Sequence, residues 1–134
     1  MKKYTINNTN LYVSKFLPPK GFIALALFGT ILYREEFEYR LIDEKYRSDV
    51  LRTIRHEGIH KAQMQDFCKW IPVGGTIFYL CYFFEWIFRV FQYGFKDAYY
   101  NISFEREAFD NDKILNYLPI RVKFAAWKKY LKKQ

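Results

Sequence analysis

Twenty-one consecutive residues, Ile71 to Phe91 (IPVGGTIFYLCYFFEWIFRVF), decide which solvent this chain folds in. The run is long enough to cross a bilayer, whose hydrocarbon core takes about 20 apolar residues of helix. It carries Glu85 and Arg89, however, and its apolar content is mostly aromatic where a span favours Leu and Ile. Each charge costs about 2.5–3.5 kcal/mol at a bilayer centre. A buried or interfacial helix is therefore the expectation, with a true span as the alternative. The other apolar run, GFIALALFGTILY from Gly21 to Tyr33, has 13 residues and is short for a span. After Lys2 and Lys3 comes YTINNTNLYVS, too polar for the apolar part of a cleavable signal. These features point to a cytoplasmic protein, placed peripherally at the inner face of the membrane if it meets one.

Composition sharpens that reading. With 14 Phe, 12 Tyr and 3 Trp, aromatic residues make up 22% of the 134. Such a share implies an aromatic core, or a surface that meets lipid or another apolar partner. The length fits one domain, 1–134, with a single core. The net charge of +8 is unevenly placed. Residues 1–120 hold 16 Lys/Arg against 14 Asp/Glu, whereas residues 121–134 hold six bases and no acid. Within that tail Ile120, Phe124, Trp127 and Leu131 recur at helical spacing. Residues 119–134 thus read as a basic amphipathic helix, either packed on the core or docked on an anionic membrane surface. Nucleic acid is not expected as a partner, because the bases are few and no RNA- or DNA-binding motif accompanies them. Cys68 and Cys81 lack metal or redox spacing and read as reduced core residues.

The chain has no repeat and no linker. Its start reads as irregular, with one strand around Leu11–Val13, stopped by Pro18, Pro19 and Gly21. FIALALFGTILY and the alternating EFEYRLI then suggest a small sheet over 21–42. From Ser48 the period becomes helical: Val50, Ile54, Gly58 and Ala62 form an i, i+4 row, with Ser48 as cap, in a helix over 48–69 ended by WIP. Further helices are expected within 76–116, at Thr76–Tyr93 and Asp97–Asn116, before the tail helix. The class is α+β, mostly helical, with about four helices and a two- or three-stranded sheet.

Both histidines of the chain fall in one stretch, TIRHEGIHKAQ. On a helix His56 and His60 share a face one turn apart, so both imidazoles can reach one ion. Glu57 lies about 100° round the helix, beside such an ion, where it can take a proton from water. This is the spacing of an H-E-x-x-H zinc site. The alternative is a solvated helix surface with Glu57 paired to Lys61. A catalytic zinc needs a third protein ligand, and the candidate lies in AYYNISFEREAFDND. There Glu105 falls inside the apolar stripe of Ala98, Ile102, Ala108 and Phe109, where a carboxylate needs a metal or a cation such as Arg55, Arg89 or Arg106. Glu107, about 200° away, reads as solvent-facing, and is the substitute third ligand if Glu105 is not one. Glu85, Arg89 and Gln92 share a helix face. Glu85 reads either as an ion-pair partner or as a hydrogen-bond acceptor for a ligand histidine.

HEGIH followed on a later helix by FEREA resembles the gluzincins, the glutamate-ligand branch of the zincin metallopeptidases. More narrowly the chain is similar, from about Gly21 onward, to a group of short uncharacterised proteins with HE-x-IH and NISFEREA. The resemblance implies a minimal zincin-like core, His56, His60 and Glu105 as zinc ligands, and Glu57 as general base. It implies a peptide or protein substrate extended along the apolar strand within Phe22–Tyr33. Where many gluzincins carry an aspartate four residues after the ligand glutamate, this chain has Phe109, with Asp112 as the nearby substitute. The expected function is a zinc-dependent hydrolase, a minimal metallopeptidase. The alternative is a non-catalytic, zinc-stabilised, membrane-associated binding or scaffold protein.

Overall fold

The computed structural model describes residues 1–68, 73–124 and 126–132. The fold is α+β and mostly helical, with a four-stranded mixed sheet and three substantial helices. It forms two compact units, Met1–Lys61 and Ala62–Gln134.

In the first unit, strands β1 (Lys2–Ile6), β2 (Thr9–Ser14), β3 (Ala24–Leu27) and β4 (Thr30–Arg34) form one sheet in the order β1-β2-β4-β3. The start of the chain is not irregular with a single strand, as the sequence suggested. Asn7 (φ 47°) and Asn8 (φ 60°) turn β1 back onto β2, the left-handed pair that a two-residue hairpin requires. Nor is Phe22–Tyr33 one strand. Phe28 (φ 45°) and Gly29 (φ 80°) fold it into the antiparallel pair β3–β4, while β4 runs parallel to β2. EFEYRLI is not a strand either. It contributes a 3-10 turn at Glu35–Phe37 and one turn of helix, α1 (Tyr39–Ile42). The sheet packs Ile6, Leu11, Val13, Ile31 and Tyr33 against Leu41 and Val50. Burial pushes the Tyr33 phenol up to about 12.

Helix α2 (Arg47–Cys68) starts one residue before the expected Ser48. Lys69 and the WIP stop fall outside the described residues. Cys68 and Cys81 are free but exposed, not in the core. In the second unit α3 (Gly74–Ala98) is interrupted at Gly94 (φ 80°, ψ 167°), and α4 (Ser103–Asn111) follows after extended Ile102. Phe78, Ile102 and Phe104 form the core there, joined by Phe67, Tyr82, Trp86 and Trp127.

The expected continuous tail helix over 119–134 is absent among the described residues. One turn, α5 (Tyr117–Ile120), ends where Arg121 becomes extended (ψ 128°), Phe124 adopts φ 63°, and a 3-10 turn occupies Lys128–Tyr130. Aromatic packing overrides the amphipathic pattern: Trp127 stacks on Phe67 at 5.8 Å and meets Phe104 at 4.7 Å.

Gly74 opens α3. A Cβ there would lie 2.4 Å from the backbone carbonyl of Phe67 and 2.5 Å from Cys68 Cα, so the start of α3 touches the end of α2 backbone to backbone. Backbone cannot swing aside as a side chain can. Gly74→Ala is expected to lower unfolding free energy by roughly 2 kcal/mol or more, at the upper end for overpacking. Gly74→Ala matching wild type in chemical denaturation would show that the two helix ends can part freely.

Candidate metal centre

Helix α2 delivers the two histidines. At i, i+4 they stack one above the other on a single face, and both are largely buried, at 9% and 8% exposure. Their Nε2 atoms lie 3.2 Å apart. A tetrahedral ion with metal–nitrogen bonds of about 2.0–2.1 Å would hold two ligand nitrogens about 3.3 Å apart, close to this spacing, which is also that of a hydrogen bond between the two rings. The histidines are not a fully solvated pair, since each residue is more than nine-tenths buried. Glu57, one residue on, is also buried, at 6% exposure.

Helix α4 delivers Glu105, in its first turn and 3% exposed. Two contacts from α3 fix where this helix begins and how Glu105 points. Ile102, the residue at the cap position, offers no capping side chain. The Glu85 carboxylate replaces it, accepting from Ser103 N–H at 2.9 Å and from the Ser103 hydroxyl at 2.6 Å. Arg89 pairs with the same carboxylate at 3.0 Å. Glu85 thus combines the expected ion pair with a capping role at the first turn of α4. The second contact is Tyr82, whose hydroxyl donates to Glu105 Oε1 at 2.6 Å. Sequence reading passed over Tyr82, although it lies on the Glu85 side of α3.

His56, His60 and Glu105 form one group able to hold a metal ion: one ligand atom from each lies within 4.8 Å of the others. Two nitrogens and one carboxylate oxygen are a donor set that suits zinc.

Glu107 corrects the sequence reading. It is fully buried, not solvent-facing. Its carboxylate accepts from Arg121, from the Tyr117 hydroxyl at 2.9 Å and from the Gln63 amide at 2.9 Å. Arg121 also donates to both oxygens of Asp66, at 2.8 and 3.1 Å. This network ties the C-terminal half of α2 to α4. Burial opposes the charge on Arg121, but hydrogen bonds and attraction from Glu107 and Asp66 outweigh it and raise its pKa. Burial, and then the Glu107 charge, push the Tyr117 phenol upward. Gln63 was the legible signal for this network, since it lies seven residues after His56 on the same helix face. Phe109 packs against the rings of Tyr99 and Tyr100, and Asp112 is buried at the end of α4.

Compared with protein-family models, with curated proteins and with solved structures, the chain matches none.

Proposed function

We propose that this chain is a minimal zinc-dependent hydrolase acting on peptide bonds, with His56, His60 and Glu105 as the ligands. The gathering of two imidazole nitrogens and one carboxylate oxygen within 4.8 Å carries the reading. Three protein ligands, not four, are the pattern of a catalytic zinc with a position left for water or substrate. Zinc bound there supplies Lewis acidity, bringing water towards neutral pKa and polarising a carbonyl. Glu57 then acts as the proton carrier: its carboxylate takes the proton of the attacking water and returns it to the departing amine. Tyr82 holds Glu105 in place through the 2.6 Å hydrogen bond.

A peptide substrate is supported by the first unit. By sheet order β3 is an edge strand, Ala-Leu-Ala-Leu, without charge. A Cβ on Gly29, at the tip of its hairpin, would lie 3.6 Å from Lys61 Cε, one residue beyond His60. An extended peptide recognised by strand addition would run along such an edge.

Metal content tests the ligand set directly. Protein purified without a nickel column is expected to hold about one zinc per chain. His60→Ala and Glu105→Ala are expected to lose it, while Glu107→Gln, which alters the Arg121 network instead, keeps it. Retention by Glu105→Ala, or loss confined to Glu107→Gln, rules out this ligand set.

A further inference from the structure

No helix among the described residues is long and apolar enough to cross a membrane. The charged pair within α3 serves contacts inside its own unit. Arg89 is 2% exposed, and every nitrogen of its guanidinium donates. Nε and Nη2 reach Glu85, Nη1 reaches Gln92 at 2.9 Å, and Nη2 also reaches the Leu131 carbonyl at 3.0 Å. Arg106 grips the same segment from α4. Its Nη1 donates to the carbonyls of Tyr130 at 2.7 Å and Lys132 at 3.0 Å, and its guanidinium lies 5.4 Å from the centre of the Tyr130 ring. Three successive carbonyls, at 130, 131 and 132, are thus held by two arginines on two helices. The rigid fork of donors on arginine suits such a grip.

The segment so held closes a ring with the residues that aim the proposed third ligand. Arg89 shares the Glu85 carboxylate with Ser103, in the first turn of α4, and Tyr82 of α3 donates to Glu105. Arg106 directly follows Glu105 in the chain. Between the two helices the backbone breaks at Gly94 (φ 80°) and is extended at Ile102 (ψ 133°), so no continuous helix fixes α4 on α3. The tail is a further tie between them.

Its docking is built to be undone. Trp127 anchors it on the rings of Phe67 and Phe104, yet the indole Nε1 is buried with no hydrogen-bond partner among the described residues. Such a donor regains a partner in water, so docking carries a penalty that release removes. The arginines tolerate release as well. A guanidinium that loses backbone carbonyls is rehydrated, and Arg89 keeps Glu85 and Gln92. Lys128, Lys129 and Lys132 are exposed, within reach of a protease.

We propose that residues 127–132 form a strap whose docking across α3 and α4 sets the affinity of the metal centre, with Arg89 and Arg106 as positioning residues. The inference rests on the zinc reading above. Docked, the strap holds α4 where Tyr82 and Glu85 direct Glu105. Released, it lets the first turn of α4 shift and weakens the third ligand. Coupling of this kind is reciprocal, so metal at Glu105 favours the docked strap by the same factor.

Two readouts on the full chain test this: zinc affinity by competition with a chelator, and the rate at which trypsin cuts after Lys128 and Lys129, identified by mass. In wild type, zinc is expected to slow those two cuts at least about five-fold while leaving the cut after Lys20 unchanged. Arg106→Gln is expected to bind zinc about ten-fold more weakly and to be cut faster in the strap. A merely structural Arg106 would lower the thermal midpoint and leave zinc affinity at its wild-type value, which overturns the inference. Where Arg106→Gln does not fold, the wild-type comparison decides alone. Zinc bound by wild type, with strap cutting equal in its presence and absence, overturns the inference and leaves the hydrolase reading standing. Wild type without zinc overturns both.

Discussion

Replacing Glu57 by glutamine is expected to leave zinc bound and the fold intact while lowering peptide hydrolysis by about a hundred-fold or more. The amide matches the carboxylate in size, and Glu57 is not one of the three proposed ligands. What it removes is the acceptor for the water proton. The measurement is turnover of a broad peptide library alongside zinc content, for wild type and variant prepared identically. Activity surviving within a few-fold in Glu57→Gln would remove Glu57 as the base. Bound zinc with no turnover in wild type would instead make the metal a structural one, as in a scaffold protein.

The second large effect concerns stability. Arg121 is the cation shared by Asp66 and Glu107, and all three side chains are at most 3% exposed. Arg121→Met fills similar volume but leaves two carboxylates buried without their cation. Loss of one partner from a buried pair costs about 3–5 kcal/mol. At this chain length that corresponds to a fall of roughly 10–20 °C in thermal midpoint. Most of it should return in the triple variant Arg121→Met/Asp66→Leu/Glu107→Leu, because apolar replacement of a whole buried ionic cluster is often neutral. A midpoint for Arg121→Met within about 2 °C of wild type would show that water or another cation reaches the carboxylates.

These two sites also mark how far the sequence could be read. The pairing of His56 with His60 was legible because H-E-x-x-H puts both imidazoles on one helix face, and the helix itself announced its period. Glu105 was legible because a carboxylate within an apolar stripe needs a partner. Glu107 was misread for a physical reason. A residue 200° from the buried stripe faces water only if the helix has a wet side, and nine-residue α4 is buried on both. What covers its far side is Arg121, fourteen residues later and past the break that ends α5. No local pattern carries that pairing. The hairpins were hidden for another reason: Asn7-Asn8 and Phe28-Gly29 adopt left-handed turns without the Asn-Gly or Asp-Gly signature. The tail shows tertiary contacts overriding periodicity, since Trp127 gains more from the Phe67 and Phe104 rings than a lone basic helix offers.

The two-sided burial of α4 acts as a rotational lock. Turning this helix by one residue's angle would pull Glu107 from Arg121, Tyr117 and Gln63 while moving Glu105 off Tyr82. Its rotation is therefore set largely by the bonds of Glu107. The helix angle at position 105 is thus held by Glu107, whereas the Tyr82 hydrogen bond aims the Glu105 carboxylate itself. Aspartate, histidine or cysteine placed there would project from the same helix angle, so donor chemistry at the third ligand can vary while the scaffold stays still. If the proposed metal site is right, one substitution at position 105 would change the donor atom it offers without turning the helix.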